Sequence, residues 1–305
     1  MVDRAQAAMT RSWMNPRRVA ILLTLGFTMV WALAELLVVQ LHHRYSLVQV
    51  ESIRFATQFV LLLLVARPRT TGQVARLWHS RRPALQVLRG LALLGLPFGF
   101  ASAVYSGVSI PVALVGLWCA PLFTVALAAL VLREQVQVRM WLAALAGMVA
   151  ALLLIAPPGP IEPADLIMPM LSGLSLALFL VLSRTLGDES VQTGLLFVAT
   201  VGLLVLLPFV AGKWVQPGIR DGLVLLVVAL LGTLALWLID LALRYGKASE
   251  VASLLYVHVL VMHWMPPLWH GQTPSWRLLL ATSLMGMLVL ALWWSKERQL
   301  REAMA

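Results

Sequence analysis

Ionisable side chains interrupt an apolar stretch of the chain, Trp237–Trp264, and are the first candidates for chemistry. Asp240 and Arg244 precede a short polar turn, and His258 follows it. An ionisable group at membrane depth costs about 2.5–3.5 kcal/mol on insertion scales, so it is a candidate for function. Asp240 and Arg244 are also spaced to form an i,i+4 pair. The stretch therefore indicates either a binding site, with Asp240 as a gate charge, or a structural ion pair.

A polar stripe near the N-terminus is spaced so that its members share one face of a helix, which should look into the protein. A desolvated carboxylate can exchange a proton near neutrality, so Glu35 suits proton coupling or contact with a cationic substrate group. The alternative is a structural partner of Arg54 or His258. The stripe comprises Thr24, Thr28, Trp31, Glu35 and His42.

Three further residues at predicted membrane depth have two interpretations each. Glu51 and Arg54 are spaced for an i,i+3 ion pair, or Arg54 binds a substrate carboxylate. His258 either forms a neutral hydrogen bond between helices or makes a pH-sensitive contact with substrate. Aromatic side chains at similar depth are predicted to line a cavity: Trp31, Tyr105, Trp118, Phe179, Trp237 and Tyr256.

Neither a catalytic nor a metal site is indicated. His258 and His263 lie about 140° apart around a helix, which is unsuitable for two ligands of one metal. The one cysteine, Cys119, has no partner for a disulfide or a cysteine metal site. A membrane-embedded enzyme would need a nucleophile and a base, or metal ligands, at one depth, and no such set is found. We expect a protein that is not an enzyme and needs no cofactor.

Composition indicates an integral membrane protein. Of 305 residues, 61% are hydrophobic and 12% are charged, against about 25% charged in soluble domains. The net charge of +10 resides in short basic clusters between apolar runs. This pattern is typical of loops that set membrane topology, and it argues against binding of nucleic acid.

Apolar runs bounded by proline, glycine and charge clusters predict ten membrane spans. Without water, their backbone groups must be paired within helices, so the predicted fold class is all-α. The first run is long enough to span the bilayer and is interpreted as a span rather than a cleaved signal. The spans are 19–39, 48–66, 88–106, 110–132, 138–156, 166–185, 191–211, 221–244, 248–268 and 276–295.

The distribution of lysine and arginine predicts that both termini are cytoplasmic, with tails at 1–18 and 296–305. Either Met1 or Met14 is the true start. The basic loop from Arg67 to Arg89 is predicted to hold a short helix on the inner surface. This loop is interpreted as a topology signal, with a recognition role as the alternative.

The chain divides into two five-span halves, 19–156 and 166–295, joined by an external linker at 157–165. Tyr105-Ser106-Gly107-Val108-Ser109 matches Tyr245-Gly246-Lys247-Ala248-Ser249, and Ala146-Gly147-Met148-Val149 echoes Met285-Gly286-Met287-Leu288. Because each half has an odd number of spans, the halves must have opposite orientation. Inverted repeats are typical of secondary transporters that bind substrate near the bilayer midplane.

The chain resembles the EamA-type branch of the drug/metabolite transporter superfamily. The resemblance rests on the ten-span plan, Trp31-Ala32, Arg54-Phe55, Pro121 and Arg133-Glu134. It implies a proton-coupled or facilitated carrier of small metabolites, most often an exporter. It also implies a central cavity formed by spans 1, 3, 4, 6, 8 and 9.

The sequence therefore predicts a carrier of a bacterial inner membrane that exports a small polar or zwitterionic metabolite by alternating access. Mixed charges at depth favour an amino acid or an amino-acid-derived compound, including opine-type metallophores. The expected partners are this substrate, the lipid bilayer and protons as coupling ion. A multidrug carrier, another metabolite carrier or an importer of the same superfamily is the alternative, followed by a membrane-embedded enzyme or a channel-like bundle. The oligomeric state is left open.

Overall fold

The computed structural model describes residues 15–41, 43–157 and 159–294, and all regular secondary structure in these ranges is helical. His42, Met14 and most of both predicted tails lie outside the described residues. Short 3-10 turns at Pro163–Leu166 and Ala211–Lys213 accompany the α-helices. The α-helices are α1 Pro16–Val39, α2 Leu47–Ala66, α3 Thr71–Leu77, α4 Pro83–Tyr105, α5 Ile110–Leu117, α6 Ala120–Leu130, α7 Val138–Ile155, α8 Ile167–Thr185, α9 Val191–Val210, α10 Ile219–Tyr245, α11 Ala248–Leu254, α12 Tyr256–His270 and α13 Trp276–Trp294.

Nine stretches of the described residues are long and apolar enough to cross a membrane, and they correspond to the first nine predicted spans. The last predicted span forms α13, whose apolar part, Trp276–Ala291, is shorter. The prediction of an all-α fold is confirmed for the described residues, and nine of their helical stretches are candidate membrane spans. The count of ten spans stays a prediction.

Local sequence signals set the beginnings of the helices. The side chain of Asn15 accepts a hydrogen bond from the amide of Arg17 at 3.1 Å, and Pro16 occupies the first turn of α1, as expected for an N-terminal cap. Pro83 similarly begins α4, ahead of the predicted start at residue 88. This earlier start places Arg89 in the second turn of a helix, whereas the prediction placed this residue where the basic loop meets the span.

The basic loop contains the short helix that the sequence predicts, α3. The indole of Trp78, which follows α3, donates to the hydroxyl of Thr200 at 3.1 Å. Its ring packs 5.9 Å from that of Phe59 on α2. These contacts hold the loop against α2 and α9.

The fourth predicted span is broken near its middle, between α5 and α6, at Trp118 and Cys119. Pro121 has no amide hydrogen, so it cannot complete the helical bond to the carbonyl of Leu117. Gly173 of α8 lies against this break, because a Cβ at Gly173 would be 2.7 Å from the Leu117 carbonyl oxygen. The sequence therefore positions a close helix approach where the helix is interrupted.

The ninth predicted span is broken at Leu255, between α11 and α12. The amide of Leu255 bonds to the carbonyl of Ala252 and the amide of His258 to that of Leu255, both at 3.0 Å. Each of these bonds joins residues three positions apart instead of four, so the helix is wound more tightly at this point. The two breaks thus fall in the fourth and ninth spans, which are the fourth spans of the two predicted halves.

Small residues permit the closest helix pairings. α1 packs along α10, α4 along α8 and α2 along α9. Between α4 and α8, a Cβ at Gly95 would be 2.4 Å from Ser175 Oγ, and one at Gly99 would be 3.0 Å from Ser172 Cβ. The hydroxyl of Ser172 donates to the carbonyl of Leu96 at 2.5 Å. These contacts join the two predicted halves.

Gly147 of α7 provides a test of this packing, because a Cβ there would be 2.1 Å from Cδ2 of Tyr256. We expect Gly147→Ala to lower the free energy of unfolding by about 1–3 kcal/mol through overpacking. Gly286→Ala is the matched control, since its added Cβ would meet no described atom within 4 Å beyond its chain neighbours and its own helix backbone, and alanine favours the helix. Denaturant unfolding in detergent micelles measures both. Equal stability of the two variants would contradict the packing described here.

Candidate functional site

Four aromatic side chains from three separate parts of the fold meet where the broken spans approach α1. The ring centroids of Trp31 and His258 lie 4.4 Å apart, and those of Trp31 and Trp118 lie 6.1 Å apart. Trp118 lies 5.4 Å from His258 and 6.2 Å from Tyr256. We call these four residues the aromatic cluster. All four were predicted site residues.

The hydroxyl of Tyr256 joins the two helix breaks. It donates to the backbone carbonyl of Trp118 at 3.1 Å, although the residues are 138 positions apart. Tyr256 is fully buried, and its ring fits only because Gly147 has no side chain. A carbonyl at a helix break would otherwise lack a partner in the bilayer, where an unpaired backbone group costs several kcal/mol. The bond therefore makes the break compatible with burial.

Glu35 of α1 pairs with His258, which was one of the two structural partners predicted for this carboxylate. His258 Nε2 lies 2.9 Å from a carboxylate oxygen of Glu35, and Nδ1 lies 3.3 Å from the carbonyl of Thr28. The imidazole is almost completely buried, whereas 41% of the Glu35 side chain is exposed. Thr24 and Thr28 are also buried, so the predicted inward face of α1 is confirmed at these two residues. The pair connects the aromatic cluster to an accessible carboxylate.

Asp240 forms a different ion pair from the predicted one, so the i,i+4 pairing with Arg244 was wrong. Its carboxylate accepts from Arg89 of α4 at 2.6 Å, and both side chains are at least 95% buried. Gly194 makes room, since a Cβ there would be 2.4 Å from Nη1 of Arg89. Phe179 lies 5.1 Å from the guanidinium carbon. Asp240 faces this buried arginine, while Arg244 bonds to the carbonyl of Glu189.

Further polar contacts lie beside the Arg89 pair, at the end of the bundle predicted to be cytoplasmic. Gln86 donates to Glu189 at 2.9 Å, and Arg82 pairs with Asp188. Burial tends to raise the pKa of Glu189, but hydrogen bonds from Ser80, Gln86 and the Arg82 amide, with the charge of Arg82, lower it overall. Glu189 is therefore held as a carboxylate. These contacts tie α4 to the segment between α8 and α9.

The predicted ion pair of Glu51 and Arg54 is confirmed, with Nη1 of Arg54 2.6 Å from Oε1 of Glu51. Its guanidinium also lies against α10, because a Cβ at Gly232 would be 3.0 Å from Nη2. Trp237 is half-buried and packs against the main core. Tyr105 lies apart from the aromatic cluster, at the end of α4, with 83% of its surface exposed. The structure thus does not bring Tyr105 into the group.

The sequence interpretation missed Arg89 as a buried partner, because it assigned this residue to a topology-setting loop. The signal that could have found it is Pro83, a residue favoured in the first turn of a helix. As for metals, no three His, Cys, Asp or Glu side chains converge as ligands within the part of the chain that the structure describes. The candidate site therefore consists of the aromatic cluster with Glu35.

Comparisons with known proteins indicate membrane transport. No family model matches the chain. Two similar proteins are each named S-adenosylmethionine uptake transporter. The one from Rickettsia bellii (strain RML369-C) is 28% identical over 186 residues, covering 60% of this chain and 62% of the relative. The one from Rickettsia prowazekii (strain Madrid E) is 26% identical over 185 residues, with the same coverage. The match thus spans 62% of the length of these relatives.

A solved structure, described only as "Crystal structure of protein", is similar with a TM-score of 0.77 and 16% identity. The match covers 92% of this chain and 98% of that chain. At this identity the likeness shows a shared fold alone.

The buried pair of Arg89 and Asp240 predicts an asymmetric effect on stability. Arg89→Gln leaves a buried carboxylate unpaired, so we expect it to cost about 3–5 kcal/mol of unfolding free energy. Adding Asp240→Asn should restore part of this loss. The control is Arg44→Gln, which removes a 67% exposed partner of Asp221 and should cost about 0–1 kcal/mol. Denaturant unfolding in micelles would contradict the assignment if Arg89→Gln cost no more than the control.

Proposed function

We propose that this chain is a secondary transporter of the bacterial inner membrane that carries a small cationic or zwitterionic metabolite by alternating access. The observation that carries the proposal is the aromatic cluster, built where two broken membrane helices meet and joined to the carboxylate of Glu35. Broken helices that face each other near mid-membrane are the usual setting of substrate sites in such carriers.

The helix pairings support two inverted repeats. In the predicted repeat, α1 corresponds to α8, α4 to α10 and α2 to α9. The packing of α1 along α10 therefore has its counterpart in the packing of α8 along α4, and the α2–α9 pair is its own counterpart. All three pairs are observed. The two breaks also exchange, since α5–α6 and α11–α12 are the fourth spans of their halves. This arrangement is expected of a carrier whose halves rock against each other, and of the drug/metabolite transporter plan that the sequence resembles.

The chemistry of the cluster favours a cationic group on the substrate. Tryptophan faces attract ammonium and other organic cations, and Glu35, when it is deprotonated beside a neutral His258, supplies a negative charge next to them. Arg54 and Asp240 are already engaged by Glu51 and Arg89, so they are less available to a substrate than the sequence suggests. Recognition of positive charge is therefore the main specificity that we assign to the site.

S-adenosylmethionine meets this requirement, because its sulfonium and ammonium groups are positive and its carboxylate is negative. It is an amino-acid-derived zwitterion, the class that the sequence predicts, and it gives the relatives their name. We propose it as the first substrate to test. The sequence predicts export whereas the relatives are named for uptake, so flux is measured in both directions.

The test uses the purified protein in liposomes and counterflow of labelled S-adenosylmethionine. Unlabelled S-adenosylmethionine should compete, while S-adenosylhomocysteine, which lacks the sulfonium charge, should compete about 2- to 30-fold less well, the range expected for losing one cation–π contact. Equal competition by both compounds would contradict recognition of the cation. Competition by ethidium alone would favour the multidrug alternative.

A variant links this flux to the cluster. Trp31→Leu removes a half-buried ring from the cluster and should reduce counterflow by about 2- to 30-fold. The matched control is Trp214→Leu, an exposed tryptophan beyond α9, which should leave counterflow unchanged. Thermal unfolding checks that both variants are folded. Equal flux from the two variants would place the substrate elsewhere.

A further inference from the structure

We infer that Glu35 and His258 together hold one proton in this conformation, and that this proton is the coupling ion of the carrier. The inference rests on the proposed function, and it names the groups that would bind the ion and the number of protons. It is argued from the atoms that the imidazole faces, from its burial and from the engagement of neighbouring titratable groups.

Both ring nitrogens of His258 face oxygen atoms that accept hydrogen bonds. Nδ1 lies 3.3 Å from the carbonyl of Thr28, which has no hydrogen to donate, so Nδ1 must carry a hydrogen for this bond. Nε2 lies 2.9 Å from the Glu35 carboxyl group. A neutral imidazole has only one N–H, so the second bond needs one more proton. That proton resides either on Nε2, facing a carboxylate, or on Glu35, facing a bare Nε2.

The charges of the Glu35–His258 pair also indicate one extra proton. With the extra proton, the pair is neutral overall in either arrangement. Without it, the carboxylate of Glu35 faces the lone pair of a bare Nε2 at 2.9 Å, and the two groups repel each other. The conformation described here therefore favours the proton-loaded pair.

Neighbouring titratable groups have other partners. On α12, the hydroxyl of Tyr256 donates to Trp118, and Nδ1 of His263 lies 2.8 Å from the carbonyl of Val259. Beside Trp118, the thiol of Cys119 bonds to the carbonyl of Val115 at 3.6 Å. These contacts leave Glu35 as the acid that faces the imidazole among the described residues.

Charged groups on four other helices either have partners of their own or lie in the first turn of their helix. On α2 and α10, Glu51 pairs with Arg54 and Asp240 with Arg89. On α7 and α13, Arg139 and Arg277 lie in the first turns. None of these groups makes a described hydrogen bond to the His258 ring.

Glu35 provides the route for exchange. Glu35 lies about one turn before the end of α1 at Val39, and its side chain is 41% exposed, so a proton can reach or leave the pair from that end of the helix while the imidazole stays buried. One proton binds and one proton leaves in each cycle, and no other group has to change its charge. We therefore expect a coupling ratio of one proton per substrate molecule.

The first measurement uses the wild-type protein in liposomes that contain a pH-sensitive dye. Labelled S-adenosylmethionine flux should be accompanied by one proton per molecule, and a pH gradient of one unit should change the accumulation ratio by about tenfold. Flux without any proton movement would overturn the inference and leave the proposed function standing. Absence of any flux with this substrate would instead refute the proposed function on which the inference depends.

The second measurement uses Glu35→Gln, whose amide can still bond to Nε2 but cannot release a proton. Because Glu35 also belongs to the substrate site, counterflow should fall, and the flux that remains should show no accumulation driven by the pH gradient. Glu51→Gln is the matched control, because it neutralises a carboxylate engaged with Arg54, and it should keep the response to the gradient. A full response in Glu35→Gln would overturn the inference. If Glu35→Gln gives no counterflow, the same comparison with His258→Gln decides.

Discussion

The absence of water in a bilayer is the constraint on which this structure depends, because every backbone group at membrane depth needs a partner within the protein. Two spans nevertheless break, at Trp118 and at Leu255. The hydroxyl of Tyr256 accommodates the first break by donating to the Trp118 carbonyl. It also brings the two breaks together and fixes the aromatic rings around His258. The candidate site is thus a consequence of how the broken backbone is satisfied.

The buried ion pair of Arg89 and Asp240 follows the same constraint, because a buried charge also needs a partner within the protein. Arg89 and Asp240 neutralise each other between α4 and α10, and Gly194 provides the space for the guanidinium. Such a pair is weak evidence for net stability, but removal of one partner is costly. It therefore constrains how α4 and α10 can separate. The Glu35–His258 pair differs because one partner is exposed, which suits a group that exchanges with solvent.

Features governed by local spacing were predictable from the sequence, whereas long-range partners were not. Apolar runs predicted the helices, and the spacing of the polar stripe predicted the inward face of α1. The i,i+3 spacing of Glu51 and Arg54 predicted their pair. The pair of Arg89 and Asp240 spans 151 positions. This pair depends on Gly194 of a third helix. The i,i+4 spacing therefore predicted Arg244 as the partner of Asp240 instead. The bond from Tyr256 to Trp118 likewise depends on packing against Gly147.

The central claim is that Tyr256 joins the two breaks, and hydrogen exchange of the Tyr256→Phe variant tests it most directly. Loss of the hydroxyl leaves the Trp118 carbonyl unpaired at a cost of about 1–3 kcal/mol, which corresponds to amide exchange about 5- to 150-fold faster where local opening controls it. We expect faster exchange around both Trp118 and Leu255, read by mass spectrometry on the protein in micelles. Faster exchange around Leu255 alone would contradict the account.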